Sequence, residues 1–275
     1  MKSSASVAIL MATYNGERFI AEQLESLLAQ TYDDWHLYIH DDSSCDDTIK
    51  IIKRYQAINA DKITLLDYPS QGGAMRNFMS LLERVESRYY MFCDQDDIWH
   101  DDKIEKSVEA MMQREGNTKA VLVHTDLRVV DASKELISPS FWNMMHIEPN
   151  RYTRLEQYVI NVATGCTMIF NDAVRTAALS VDWDRAVMHD VWIMLRTVSV
   201  GGDIYGLNTP LIDYRQHETN SVGAQNASRL TLMYRLRNIY GLLRKNIRYY
   251  RMMCSAGYDG GVCEYIKNKR IYSIK

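Results

Sequence analysis

Tyr89 to Trp99 reads Tyr-Tyr-Met-Phe-Cys-Asp-Gln-Asp-Asp-Ile-Trp, and this stretch decides the fold. Its opening run is apolar and aromatic, with the length and side chains of a buried strand. The run stops in three carboxylates, Asp94, Asp96 and Asp97. Acids just past a strand project from the carboxyl edge of a sheet, where open α/β folds hold their ligands. Like charges this close repel one another, and a half-buried place tolerates them mainly when a cation sits among them. Hard oxygen ligands suit Mg2+ or Mn2+, ions that bridge nucleotide phosphates. The stretch therefore reads as a metal–diphosphate site. The plainer alternative is a solvated acidic loop that caps the next helix.

Outward from this point, strand and helix alternate. Val7 to Thr13 is a nearly continuous apolar run, like a strand buried on both faces. Tyr14-Asn15-Gly16 breaks it, and Glu17 to Gln30 carries apolar residues at helical spacing. Trp35 to Ile39 is a second strand, ending in Asp41-Asp42-Ser43-Ser44. Asp46 to Ile58 is a helix with Ser44 or Asp46 as its cap. Ile63 to Leu66 is a third strand, and Gly72-Gly73 opens a helix through Val85. Beyond Trp99 the pattern predicts an exposed helix over Asp101 to Gln113 and a strand at Ala120 to His124, continued by Leu127 to Val130. Ser138 to Pro149 reads as a loop holding Trp142, Met144 and Met145. Ala163 to Phe170 reads as a strand entered through a Gly turn, and Met188 opens a helix to about Val200. Gly202 to Leu207 and Leu211 to Tyr214 are short strands. The alternation predicts a mainly parallel sheet with helices on both faces.

Bulk properties narrow the function. The chain has 275 residues, 47% hydrophobic and 24% charged, enough for one large domain with an appendage. A net charge of −3 is not that of a nucleic-acid binder. Five cysteines without CxxC spacing fit a reducing compartment and argue against zinc or a disulfide framework. No signal peptide and no run of about 20 apolar residues is present, so a cytoplasmic protein is expected. From Arg229 onward the composition shifts to eleven Lys or Arg against two acids. There Leu232, Leu236, Tyr240, Leu243, Ile247 and Tyr250 recur every three or four positions, beside a stripe of Arg237, Arg244, Arg248 and Arg251. This is a basic amphipathic helix. It could adhere to an anionic membrane surface or pack on the main domain with a solvated basic face.

The first, second and fourth strands bring Thr13, Tyr14, Asn15, Asp41, Asp42, Arg76, Asn77 and the acidic trio to one sheet edge. The absence of GxGxxG and of GxxxxGK[ST] disfavours a dinucleotide fold and a P-loop enzyme. No motif supports a Ser/His/Asp or Cys/His nucleophile.

Ala12-Thr13-Tyr14-Asn15-Gly16, Asp41 through Thr48, Asp94-Gln95-Asp96-Asp97-Ile98-Trp99 and His189-Asp190 occur in an order that resembles family 2 glycosyltransferases. The resemblance spans Val7 to Ala224. Cys93 through Trp99, and Tyr214-Arg215-Gln216-His217 leading to Ser221 through Ala224, resemble its bacterial rhamnosyltransferase branch. The resemblance implies a GT-A fold: a Rossmann-like, mixed but mostly parallel sheet flanked by helices, with a C-terminal helical appendage. It implies residues 1–226 as the catalytic domain and 227–275 as a basic extension. Thr13, Tyr14, Asn15 and Glu17 would line the nucleotide pocket, with Tyr14 against the base. Asp42, or its neighbour Asp41, would read the pyrimidine. Arg76, Asn77, Asp94, Gln95 and Trp192 would lie near the donor. Asp96, Asp97 and His217 would be the metal ligands, and Asp190 the catalytic base. The family often has Glu before the base, where this chain has His189.

The residue types fit this chemistry on their own account. A metal neutralises charge as a diphosphate departs, and a carboxylate across the sugar accepts the acceptor hydroxyl's proton. The implied enzyme is inverting and uses Mn2+ or Mg2+. Its donor is a sugar nucleotide of the dTDP-rhamnose type, with a UDP-hexose as the alternative. Its acceptor is a polyprenyl-linked glycan at the inner face of the membrane, and nucleic acid is not a partner. A nucleotidyltransferase and a non-catalytic module are the rivals. The first usually needs a Gly-rich basic loop, of which Tyr14-Asn15-Gly16-Glu17-Arg18 is a poor version.

Overall fold

The computed structural model describes residues 7–116, 119–218 and 239–273. The first half alternates as the sequence pattern requires: β1 (Val7–Thr13), α1 (Ile20–Leu28), β2 (Trp35–Asp41), α2 (Thr48–Ile58), β3 (Ile63–Leu65), α3 (Ala74–Arg84) and β4 (Tyr89–Cys93). After the acidic turn come β5 (Ile98–Trp99), α4 (Lys103–Arg114), β6 (Val121–Asp131), β7 (Leu136–Ser138), α5 (Phe141–Met145) and α6 (Arg154–Gln157). A 3-10 turn, Gly165–Thr167, leads into β8 (Met168–Asn171), α7 (Asp172–Leu179), α8 (His189–Ser199) and β9 (Asp203–Gln216). Helices α9 (Ile239–Ser255) and α10 (Val262–Ser273) follow.

Among the described residues the strands form one sheet in the order β3-β2-β1-β4-β8-β6-β9-β5, with β7 beside β6. Strands β1 to β4 pair in parallel, β8 is antiparallel to both neighbours, and β6 and β9 are parallel. Register places Thr13 opposite Asp41 and Met11 opposite Cys93, so β1, β2 and β4 end at one edge.

Side chains alternate across a strand, and here both faces are covered. Val7, Ile9 and Met11 of β1 join Tyr89 and Met91 of β4 in a core closed by Ile20 and Leu24, Ile52, and Ile104 and Met111. Ala8 and Leu10 join Tyr90 and Phe92 in the opposite core, closed by Phe78 and Leu82, Val174, and Trp192 and Leu195. Continuous apolar strands are the expected result of helices on both faces.

Four expectations are corrected. The helix α4 is not an exposed one: Ile104, Val108 and Met111 form an apolar stripe buried against the sheet. The Ser138–Pro149 loop contains α5, capped by the Ser140 hydroxyl accepting from Asn143 N–H (3.0 Å). Trp142 is buried there with its ring 5.3 Å from His124. The two short strands after Gly202 are one, β9, because a register shift opposite Asp126 absorbs Pro210, which has no N–H to give the ladder. The C-terminal helix packs on the main domain, one of its two expected readings, but through Met252, Met253 and Ala256, which lie in the same core as Ala8 and Leu10, while Ile247 of the expected apolar stripe is 51% exposed. Arg244, Lys245, Arg248 and Arg251 stay exposed. Leu232, Leu236, Arg237, Ser221 through Ala224 and the 226/227 boundary lie outside the described residues. Among the described residues no helix is long and apolar enough to cross a membrane.

His124 gives the fold a pH signature. Its ring is fully buried on β6, with no hydrogen-bond partner for either nitrogen among the described residues, and burial pushes its pKa down to about 3. A depressed histidine is protonated first in the unfolded chain. Its contribution therefore falls as pH drops below about 6.5 and levels off near 3. Between pH 7 and 5, His124→Met should lose up to about 2 kcal/mol less stability than the parent. Urea titrations at both pH values would show this, and equal losses would refute it.

Candidate active site

The nucleotide edge is wired from within. The Thr13 hydroxyl donates to Asp41 Oδ2 (2.8 Å), and Ser44 N–H and Oγ–H donate to the same carboxylate (2.7 and 2.6 Å). Asp42 accepts from the Ser70 hydroxyl (2.6 Å) and from the N–H groups of Gln71, Gly72 and Gly73. Gly72 and Gly73 have φ of 74° and 133°, values open to glycine that turn both N–H groups onto one anion. Burial pushes the Asp42 carboxyl up, but these donors outweigh it and hold it below its ordinary range. Neither Ser44 nor Asp46 is the cap expected of α2: Asp47 holds that position without a side-chain cap bond, and Asp46 Oδ1 instead accepts from Thr48 N–H (3.0 Å) just ahead of it. Asn15 Oδ1 accepts from Cys45 N–H and Glu17 Oε2 from Asp47 N–H (both 2.9 Å), tying the first loop to the second.

Three residues expected at the donor are occupied elsewhere. Gln95 clamps the Tyr14 backbone: its Oε1 accepts from Tyr14 N–H (2.9 Å) and its Nε2 donates to Tyr14 O (3.0 Å). Gly16 lies against this amide, and a Cβ there would collide with it. Asn77 is buried, with Oδ1 2.8 Å from His40 Nδ1 and Nδ2 donating to His40 O (3.1 Å). Trp192 is fully buried and donates through Nε1 to Ala178 O (3.0 Å), which makes it a core residue. Tyr14, by contrast, is 56% exposed at the sheet edge. Arg76 is exposed and lies 3.6 Å from Asp184.

The acidic turn is gripped from β9. Arg215 donates from its backbone N–H to Asp97 Oδ1 (3.2 Å) and from Nε to Asp96 O (3.1 Å), while its Nη2 pairs with Glu22 of α1. His217 Nε2 lies 2.9 Å from Asp96 Oδ2, and its ring packs on Phe19 at 4.5 Å. The structure thus brings together Asp96 and His217, both expected as metal ligands and 121 residues apart in sequence. Asp97 is fully buried below them. Burial, with Asp96 and Asp94 near, pushes its carboxyl well up. Burial, then the charges of Asp96 and Asp190, push Asp94 up to about 7.

Asp94, Asp97 and Cys166 place ligand atoms within 4.8 Å of one another. Burial, then both acids, push the Cys166 thiol well up, so it faces them as an S–H donor rather than a metal thiolate. The countercharge beneath is Lys103. It is fully buried, its ammonium sits 4.0 Å from the centre of the Trp99 ring, and burial brings it down to about 8. The donor set fits a hard divalent cation. The Asp96 carboxylate meets the His217 imidazole, Asp94 and Asp97 stand together in the same turn, and Asp97 Oδ2 is buried without a partner among the described residues, an oxygen-rich set that suits such an ion.

Asp190 lies in the first turn of α8 and is 7% exposed. Its Oδ1 accepts from Val191 N–H (2.7 Å). His189 packs on Phe78 and Phe92 at 4.2 and 4.8 Å. Burial, only partly offset by Asp190, lowers its pKa and leaves it neutral. Gly165 touches this pair. A Cβ there would stand 2.6 Å from His189 Nε2 and 3.5 Å from Asp190 Cβ, so the Gly turn before β8 sets the position of Asp190. Sequence reasoning did not single out Phe19, Glu22, Lys103 or Cys166. Each looks like an ordinary core or helix-surface residue until its partners are seen.

The family model for glycosyl transferase family 2 matches residues 8–177. The chain belongs to glycosyl transferase family 2. It is similar to dTDP-rhamnosyl transferase RfbG of Shigella flexneri, 29% identical over 224 residues that cover 78% of this chain and 74% of that one. It is also similar to the UDP-Glc:alpha-D-GlcNAc-diphosphoundecaprenol beta-1,3-glucosyltransferase WfgD of Escherichia coli. That match is 33% identical over 108 residues, 39% of this chain and 41% of WfgD. Among solved structures, S. aureus TarS 1-349 in complex with UDP-GlcNAc superposes with a TM-score of 0.65 at 15% identity, over 97% of this chain and 71% of that one. As a family 2 member the protein is a glycosyltransferase with the GT-A fold. Membership sets aside the nucleotidyltransferase and the non-catalytic module.

Proposed function

We propose that this family 2 enzyme is an inverting, metal-dependent glycosyltransferase that moves a sugar, L-rhamnose from dTDP-rhamnose, onto a lipid-linked glycan of bacterial surface polysaccharide synthesis. One observation carries the reading. Gly165 lies against Asp190 and its neighbour Cys166 lies within 4.8 Å of Asp94 and Asp97, so Asp190 and the acidic turn that carries Asp96 against His217 meet at the same Gly-Cys turn. On this reading the metal ligands and the base flank the bound sugar. Asp96, Asp97 and His217, with Asp94 in the same turn, would hold Mn2+ or Mg2+, which when bound neutralises charge on the departing diphosphate. Tyr14 and the loop around Asp41 and Asp42 form the nucleotide side. Asp190 takes the proton of the acceptor hydroxyl as that oxygen attacks the anomeric carbon from the face opposite the diphosphate. A single in-line displacement needs no protein nucleophile. The rhamnosyl donor rests on the likeness to RfbG and the lipid-linked acceptor on the likeness to WfgD.

A panel of sugar nucleotides tests the donor. With Mn2+ present, dTDP-rhamnose at about 100 times its Kd should add about 2.7 kcal/mol of stability, read as a rise in Tm that chelator abolishes. Transfer should release dTDP and not pyrophosphate. Protection by a UDP-hexose alone would replace the donor assignment with that alternative.

A further inference from the structure

The metal side of the site is braced from α1, a helix outside every motif. Phe19, at its N-terminal cap, and Glu22, in its first turn, stand three positions apart and share one face. The Phe19 ring lies 4.5 Å from the His217 ring and 4.7 Å from the Arg215 guanidinium. Glu22 takes one end of that guanidinium, its Oε2 accepting from Arg215 Nη2. At the other end Nε donates to Asp96 O (3.1 Å), while the Arg215 backbone N–H donates to Asp97 Oδ1 (3.2 Å). The Arg215 side chain is 3% exposed and that of Glu22 41%, so the carboxylate reaches in from the surface. A buried guanidinium needs a countercharge. Glu22 and the carboxylates of the acidic turn both border this one, and Glu22 is what meets Nη2. A planar fork held at Nε and Nη2 is fixed in direction. Arg215 therefore grips the backbone of residue 96, and Asp96 Oδ2 faces His217 Nε2 at 2.9 Å.

We infer that Glu22 is a positioning residue for the metal: it draws the Arg215 charge away from the Asp96 carboxylate and so keeps Asp96 and His217 open to a divalent cation. This rests on the assignment of Asp96 and His217 as metal ligands. Without Glu22, Nη2 is released beside the acidic turn. A guanidinium that pairs with Asp96 competes with a cation for the same oxygens. Lys134, just before β7, donates to the other Glu22 oxygen, Oε1 (3.2 Å). It supplies an internal control, because its loss leaves the Arg215–Glu22 pair intact.

The test titrates Mn2+ alone onto the full chain and reads free Mn2+ by electron paramagnetic resonance, with Asp96→Ala defining uptake elsewhere on the surface. Glu22→Ala should raise the Mn2+ Kd about tenfold or more, Glu22→Gln should raise it less, and Lys134→Met should leave it within about twofold of the parent. The glutamine keeps an acceptor for Nη2 but not the charge, so it retains the shape of the brace where alanine does not. Melting without metal should stay within about 3 °C of the parent in Glu22→Gln. A Mn2+ Kd unchanged in both Glu22 variants overturns the inference. So does an equal loss in Lys134→Met, which would mark a general effect of surface charge, or a loss in Glu22→Gln that appears only with a collapse in melting temperature. Failure of the underlying reading looks different: the parent chain then takes up no more Mn2+ than Asp96→Ala, and the inference falls with it.

Discussion

Asp190→Asn should lower glycosyl transfer by about 10²-fold or more while sugar-nucleotide affinity stays within about threefold. The substitution keeps shape and packing. An amide oxygen can still accept from Val191 N–H, as Asp190 Oδ1 does, and His189 still fills the space between Phe78, Phe92 and Gly165. The variant loses only the capacity to take a proton. His189 cannot substitute for it. Its Nε2 is turned toward Gly165, and its Nδ1 is buried without a partner among the described residues. Single-turnover transfer and equilibrium donor titration on the same preparation separate the two effects. Transfer within about tenfold of the parent would remove Asp190 from the mechanism.

Asp96→Ala should abolish the metal dependence of donor binding and reduce turnover to background, a loss of about 10²-fold or more. The acidic turn itself should survive. Arg215 Nε grips the backbone carbonyl of residue 96, which alanine retains, and Arg215 N–H still meets Asp97. His217 loses its partner at 2.9 Å but stays packed on Phe19. The Tm without ligand should therefore move by only a few degrees. Calorimetry of the donor with Mn2+ and with chelator decides the matter. Equal uptake in both, together with full turnover, would sink the metal assignment.

The sheet was legible in the sequence because its signals are local. A five-residue apolar run ending in acids, or apolar residues three and four apart, need no knowledge of distant partners. Strand β9 was harder: Asn208-Thr209-Pro210 reads as a break, and only pairing with β6 shows that the ladder absorbs it. In the site, Asp96, His217 and Asp190 were visible as motif residues, and the structure brings the first two into contact. Gln95, Asn77 and Trp192 were not separable from ligand contacts, because an amide or indole reads the same whether it meets a nucleotide or the backbone. Arg215 stood in a quoted motif, but its partner Glu22 looked like a solvated helix acid.

The Gln95 amide acts toward Tyr14 as a neighbouring strand would, and it belongs to the same turn that presents Asp94 and Asp96. On the proposed assignment, one connected piece cradles both the base end and the diphosphate end of an incoming nucleotide. The conformational freedom of the two loops is lost when the chain folds, not when the nucleotide docks, so little ordering cost remains to oppose association. A nucleotide altered at either end should accordingly meet an unchanged cradle at the other, and its affinity should change by the lost contacts alone.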